Sequence, residues 1–488
     1  MLPRRTIANR ETIMEYISTR GSAPVLDFEG VTLAGLASDG GLYLPREWPR
    51  FNEAQIRDLR GLPYWQVAVE VMAPFVGDSL TRDELTEICQ QVYGGEFSHA
   101  AVAPLVQLDE QHWLLELFHG PTLAFKDVAL QLLGRLFETF LARRDERLTI
   151  VGATSGDTGS AAIRAVAGRD RVEIFMLHPS GKVSDVQRRQ MTTVRAPNVH
   201  NIAIEGSFDD AQRHVKAMFG DASVARSLGG PLNLGAVNSI NWARLMAQVV
   251  YYFTSALQLG APDRKVAYSV PTGNFGDVFA GYVAAQMGLP IETLVVATNV
   301  NDILYRALTT GDYSAGTVTP TQTPSMDIQV SSNFERLLFD AGGRDGAALA
   351  EQMRGFETTK AMQLTNSQRE GARALFQSLR ADQQQTARAV QWAYQAAGQI
   401  IDPHTAVGLS AARDAVAQDE INPLVPVVTL ATAHPAKFPD MIERAVGVRS
   451  ALPPRVGDLF GREEHFVELS GDYEASRDFV LENAAAAA

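Results

Sequence analysis

The chain has 488 residues, enough for two or three domains and a large core, with 46% hydrophobic and 20% charged residues, as in ordinary soluble proteins. A formal net charge of −13 without any basic run excludes nucleic acid as an expected partner, and it requires that an anionic ligand meet a locally positive site. No apolar run reaches the length of a membrane span, none follows Met1-Leu2-Pro3-Arg4-Arg5, and the one cysteine, Cys89, rules out an internal disulfide; we therefore expect a cytoplasmic protein with no membrane partner and no secretory signal.

Residues 1–100 form a first region. Within it Tyr16–Gly21 reads as a short strand and turn, and Leu33–Pro45 as a glycine-rich turn leading into a strand. Helical patterns follow over Tyr64–Val76 and Thr81–Val92. Met14 is an alternative start, which would make the first thirteen residues an extension.

The apolar run Trp113-Leu114-Leu115 then reads as a buried strand, broken by Gly120-Pro121. Lys126 stands at the mouth of a helical pattern made by Val128, Leu130, Leu132, Leu133, Leu136 and Phe137. A lysine flanked by Leu123, Ala124 and Phe125 is poorly solvated. Desolvation disfavours the ammonium and favours a neutral, nucleophilic amine, as a Schiff-base lysine requires. Taken alone, the same residue reads more readily as a snorkelling lysine at a helix start, and the rest of the chain reverses that preference.

Residues 101–310 alternate. Strand-like runs are Leu148–Val151, Val172–Leu177, Val199–Ile204, Val266–Val270 and Thr293–Ala297. Helical patterns lie between them at Gly159–Val166, Ser184–Thr193, Phe208–Phe219, Ser239–Ala256 and Phe275–Met287. This alternation predicts a parallel sheet with helices on both faces, and ligand sites beyond the carboxyl ends of its strands. In residues 311–445 the stretch from about 312 to 365 is polar and turn-rich, with Thr317–Ser325 as a loop. Gln383–Ala397 and Ala406–Val416 read as helices, and Val425–Leu430 as a buried strand. Residues 446–488 read as a tail whose five final alanines should fray; no internal repeat is present.

Two strand-to-helix loops suit anions. Gly152-Ala153-Thr154-Ser155-Gly156-Asp157-Thr158-Gly159 offers glycines, hydroxyls and a helix N-terminus. It lacks the Gly-Lys-Ser/Thr ending of a P-loop, and Thr154 occupies the first glycine of a dinucleotide fingerprint. Pro271-Thr272-Gly273-Asn274-Phe275-Gly276-Asp277 is the second. Two such loops suggest two anionic groups in one cleft, although each alone is also a tight capped turn. Gly181–Arg188 opens another helix, with Ser184 as N-cap and Gln187 as its capping-box partner, leaving Lys182 free for a phosphate. In Asn238–Arg244 we expect Ser239 to cap, with Arg244 about a turn and a half inside. Lys182, Arg188 and Arg244 supply the local positive charge. Thr432 follows a buried strand and can face a heteroaromatic nitrogen or simply bond backbone; His434 is expected to pack. No histidine or cysteine pattern supports a metal.

His119–Asp127 resembles the pyridoxal-phosphate attachment segment of the threonine synthase family. Thr154–Gly159, Gly273–Asp277, Ala297–Asp302, Thr432–Phe438 and Tyr16–Gly21 with Leu36–Tyr43 are similar to that family too, in order, over about residues 14–445. The branch resembled is the one found in many bacteria and in fungi. The resemblance implies the tryptophan-synthase-β-like fold, fold type II: two parallel-sheet α/β domains with an N-terminal α/β extension. It makes 1–100 the N-terminal domain, 101–310 the cofactor-binding core with a smaller mobile subdomain, 311–445 the rest of the large domain, and 446–488 a tail. It implies pyridoxal 5′-phosphate as cofactor and O-phospho-L-homoserine as substrate, converted with water to L-threonine and phosphate. Lys126 would hold the cofactor and move protons at Cα and Cβ. Gly273, Asn274, Phe275, Gly276 and Asp277 would cradle its phosphate, chiefly through backbone N–H groups, and Thr432 would face the pyridine nitrogen. Thr154, Ser155, Gly156, Asp157 and Thr158 would hold the substrate carboxylate or lie over the ring. Lys182, Ser184, Asn241 and Arg244 are the candidates for the substrate phosphate. A monomer or homodimer is expected. A serine/threonine dehydratase of the same fold is the alternative, and a non-catalytic phosphoester binder a third reading that the presence of Lys126 opposes.

Overall fold

Residues 14–230 and 233–484 are described by the computed structural model; residues 1–13, on which the reading of Met14 as an alternative start turns, and the last four alanines lie outside them. Among the described residues the strands are, in chain order, β1 (Tyr16–Ser18), β2 (Tyr43–Pro45), β3 (Leu105–Gln107), β4 (His112–Glu116), β5 (Leu148–Ala153), β6 (Val172–Pro179), β7 (Val199–Ile204), β8 (Leu234–Gly235), β9 (Val266–Pro271), β10 (Ile291–Thr298), β11 (Phe376–Arg380), β12 (Val427–Ala431) and β13 (Val467–Leu469). They form a hairpin-like pair, β1-β2, and two larger sheets in the orders β11-β10-β9-β12-β4-β3 and β13-β7-β6-β5-β8.

Every pairing in the two larger sheets is parallel except β3 with β4. Parallel strands covered by helices on both faces are apolar throughout, not alternating. Strands β9 and β12 show this, with every residue buried. The register sets Val427 beside Ala267 and Leu430 beside Leu115, so the carboxyl ends of β4, β9 and β12 share one edge. Ligand loops belong at that edge.

The first hundred residues share the main core. Tyr16 and Phe75 pack on Trp242, at ring-centroid separations of 5.8 and 5.7 Å. Helices at Tyr64–Val76 and Arg82–Tyr93 match the expected spans to within one residue.

The stretch from 312 to 365 differs from the polar, turn-rich expectation. It carries two helices, Phe334–Ala341 and Gly346–Thr359. Phe334, Leu337 and Leu338 are buried at i, i+3 and i+4, and Asp345 caps the second helix by accepting from Ala348 N at 3.0 Å. Beyond Val446 the chain returns to the smaller sheet. Strand β13 pairs with β7, and Val480 of the Tyr473–Asn483 helix buries beside Ile202 and Met218. No helix of the described residues is long and apolar enough to cross a membrane.

Candidate active site

Strand β4 ends at Glu116, and the chain then runs antiparallel to the segment after β12. Leu117 N donates to Ala431 O (3.0 Å), Phe125 N to Thr432 O (2.8 Å) and His434 N to Leu123 O (3.0 Å). Leu123 is left-handed, with φ of 64°. Asp127 closes the loop by accepting from Thr122 N and Thr122 Oγ1, both at 2.8 Å. Gly120 is required here, because a Cβ at that position would stand 2.3 Å from Asp127 Cβ. The loop delivers Lys126 as the first residue of a long helix, Lys126–Arg144, that is mostly buried. Its Nζ stands 3.7 Å from Asp157 Oδ2. Burial lowers the Lys126 pKa; Asp157 opposes that, while Lys437 and Arg244 add to it.

Asp157 arrives from the smaller sheet, at the start of the Asp157–Val166 helix after β5. Thr154 shapes this loop: its Oγ1 accepts from Gly156 N and Gly159 N, both at 2.9 Å. The Asp157 carboxylate accepts from Lys437 Nζ at 2.6 Å and from Gln187 Nε2 at 2.8 Å. Burial alone would raise its pKa, but Lys437 and Lys126 hold it well below the usual carboxylate range.

The second loop is an anion cradle. Ser331 Oγ donates to Gly273 O (2.7 Å), and Asn333 N and Nδ2 both donate to Asn274 O (3.0 Å). With those carbonyls tied back, the N–H groups of Gly273, Asn274, Phe275 and Gly276 find no acceptor among the described residues. Phe275 is left-handed, with φ of 62°, and its ring packs on Phe334 and Phe376. The Gly276–Gln286 helix starts here and adds its N-terminus. The Asp277 side chain turns away from the cradle, accepting from the Tyr251 and Tyr252 hydroxyls. Burial pushes its pKa up to about 7, against those hydrogen bonds. Only its backbone can serve an anion.

Thr432 is buried, and its hydroxyl has no hydrogen-bond partner among the described residues. Asn241, not Ser239, caps the Trp242–Gln258 helix, accepting from Ala243 N at 3.0 Å; Ser239 Oγ bonds Ser332 Oγ instead. Arg244 therefore lies in the first helical turn, deeper toward the helix start than expected. It is 4% exposed, and its Nε and Nη1 have no partner among the described residues. Burial lowers its pKa to about 10. A buried guanidinium without an acceptor is a site waiting for an anion.

The other expected cations are engaged. Lys182 Nζ donates to Gly206 O at 2.8 Å. Arg188 forks onto Glu464 at 2.9 and 3.1 Å. Ser184 caps the Asp185–Thr192 helix, while Gln187 serves both Ser184 and Asp157. Ser155 is exposed and Thr158 half-buried at the loop rim. Asn241 Nδ2 is spent on Thr32 O at 2.8 Å. His434 packs edge-on against Phe118 and accepts from Ala436 N at 3.1 Å; burial lowers its pKa to about 4, so it is neutral. Among the described residues no cluster could hold a metal ion.

Lys437 was not among the expected site residues, nor were the roles of Gln187 and Gln190. Lys437 is fully buried and also donates to Thr122 O (3.0 Å), an oxygen it shares with Gln190 Nε2 (2.9 Å). The sequence signals for it are its place six residues after a buried strand and its position inside the Thr432–Phe438 segment that carries the resemblance.

The family model described as "Threonine synthase N terminus" matches residues 15–93, that for "Pyridoxal-phosphate dependent enzyme" residues 98–367, and that for "Threonine synthase, C-terminal" residues 405–480. The chain is 54% identical to threonine synthase of Pseudomonas aeruginosa over 96% of its own length and 98% of the relative's. A crystal structure of pyridoxal-phosphate-bound threonine synthase from Brucella melitensis superposes with a TM-score of 0.93 at 51% identity, covering 97% of this chain and all of that one. The yeast threonine synthase structure gives 0.91 at 38% identity over 97% and 99% of the two chains.

Proposed function

The chain belongs to the threonine synthase family, and from that premise we propose that it converts O-phospho-L-homoserine and water to L-threonine and phosphate by γ-elimination and β-addition of water. It is a pyridoxal-phosphate-dependent carbon-oxygen lyase of fold type II. Its own residues fit that cofactor. A desolvated lysine, a run of free N–H groups on a helix N-terminus and an unengaged hydroxyl follow the carboxyl ends of the neighbouring strands β4, β9 and β12, and support that reading.

The bound cofactor supplies the electron sink for charge developing on the substrate. Lys126 would hold it covalently and, when freed by the substrate amine, would serve as the base that takes the Cα proton and then one at Cβ. Gly273, Asn274, Phe275, Gly276 and the Asp277 backbone would hold its phosphate. Thr432 would offer the pyridine nitrogen a neutral hydroxyl. The Ser155, Gly156, Asp157 and Thr158 backbone, shaped by Thr154, receives the substrate carboxylate. Arg244 binds the substrate phosphate, and Ser184, Asn241 and Lys182 reach it only by leaving their present partners. Loops of both sheets meet at Lys126, so approach of the smaller sheet would exclude water until phosphate has left.

One observation carries this reading over a dehydratase: Arg244, a buried cation whose charge acts on Lys126, has Nε and Nη1 without an acceptor among the described residues. A dehydratase substrate has no phosphate to place there. Purified enzyme should release phosphate and threonine from O-phosphohomoserine and should not deaminate threonine. Lys126→Ala should lose both the visible absorbance of bound cofactor and turnover; retention of both would remove Lys126 from its role. The proposed setting is cytoplasmic, as a monomer or homodimer, which the single buried cysteine suits.

A further inference from the structure

Three ions meet where segments that follow strands of the two sheets come together. Asp157 follows β5 of the smaller sheet; Lys437 follows β12 of the larger one; Lys126 opens the helix after β4. The Asp157 carboxylate uses both oxygens, Oδ1 toward Lys437 Nζ at 2.6 Å and Oδ2 toward Lys126 Nζ at 3.7 Å. Lys437 is held from its other side by Thr122 O, at 3.0 Å, in the loop that carries Lys126. As packing, this is a poor choice. Burying ions costs more than burying neutral groups of the same shape, and Gln187 Nε2 could donate to, and Thr122 O accept from, neutral partners. The charges therefore point to a use.

We propose that Lys437 is a positioning residue for Lys126: by pairing with Asp157 across the two sheets it sets the charge felt at Lys126 Nζ, and so how tightly that nitrogen holds its proton. The inference rests on the reading of Lys126 as the cofactor lysine. The charged groups facing Lys126 are Asp157, Lys437 and Arg244. Those facing Asp157 are Lys437 and Lys126, with Gln187 as a neutral donor. Lys437 and Arg455 also face Asp127, whose carboxyl is closed off by Thr122.

The arithmetic of charge gives the signs. With both partners present, the +1 of Lys437 offsets the −1 of Asp157 next to the Lys126 nitrogen. Without Lys437 the carboxylate acts on Lys126 alone and strengthens its hold on the proton. Without Asp157 the lone Lys437 cation weakens it. Without both, the balance returns. A buried charge at this separation shifts proton affinity by about tenfold or more, about one pH unit.

The test is a pH titration of the visible absorbance band of the holoenzyme, which follows the proton on the lysine-bound nitrogen without turnover. Lys437→Met should move the midpoint up by about one unit or more, Asp157→Asn down by about as much, and the double variant should return to within about half a unit of wild type, while Lys437→Arg stays at the wild-type midpoint. Should Lys437→Met not fold, the comparison of Asp157→Asn with the double variant decides. A higher midpoint in the double variant supports the proposal, and equal midpoints overturn it. An unchanged midpoint in Lys437→Met also overturns it. A wild-type enzyme with no band at all would instead overturn the reading of Lys126.

Discussion

Replacing Arg244 by methionine should make the protein more stable and less active. The guanidinium is 4% exposed, with Nε and Nη1 unpartnered among the described residues. Burial brings its pKa down to about 10, which corresponds to about 3 kcal/mol against the charged form. Methionine fills much of the same volume without that penalty, so the unliganded variant should gain about 1–3 kcal/mol. The substrate should lose the opposite way. Two charge-assisted hydrogen bonds, one from each free nitrogen, contribute about 3 kcal/mol or more, or about 150-fold in kcat/KM for O-phosphohomoserine. Urea unfolding of the cofactor-loaded enzyme without substrate measures the first effect, and phosphate release the second. Free phosphate should also protect the wild type against unfolding and fail to protect the variant. A variant that is destabilised by more than about 1 kcal/mol and keeps its kcat/KM would refute the reasoning, because Arg244 would then be a structural residue.

Three further outcomes follow from the same geometry. Gly120→Ala forces a Cβ to within 2.3 Å of Asp127 Cβ, and should cost about 1–3 kcal/mol in urea unfolding and lower the cofactor content. Asn333→Ala leaves Arg336 Nη1 without its acceptor, frees the carbonyl of Ser239 and takes one of two donors from that of Asn274, and should cost about 3 kcal/mol and weaken cofactor binding, read by dialysis against added pyridoxal phosphate. Asp277 has its pKa raised from 3.8 to about 7, so its carboxyl is neutral in the folded chain where it is ionised in the unfolded one. Its contribution is whole below about pH 4 and lost as pH rises through about 7, a decline of up to about 4 kcal/mol that Asp277→Asn should flatten in unfolding curves taken across that window.

Much of this site could be read before any coordinates. Apolar runs such as Val266–Pro271 and Val427–Ala431 announce buried parallel strands, because both faces of each strand are covered. Lys126 and the two glycine loops are local features, and local features survive in a sequence. What the sequence hides is pairing over distance. Arg188 reads as a free cation until Glu464 meets it, 276 residues away. Lys437 reads as one more lysine until Asp157 is brought against it from the other sheet. Ser239 looks like a cap as much as Asn241 does, and only the backbone turn at 241 decides between them. The helices at Phe334–Ala341 and Gly346–Thr359 are short and polar outside, so their apolar stripe is lost among flanking turns.

The most direct test is one cuvette: the absorbance spectrum of the purified enzyme before and after O-phosphohomoserine, with released phosphate measured in the same sample. A visible band that shifts on addition while phosphate appears is the expected result. A band that ignores O-phosphohomoserine and yields no phosphate, in enzyme that still holds its cofactor at Lys126, would contradict it.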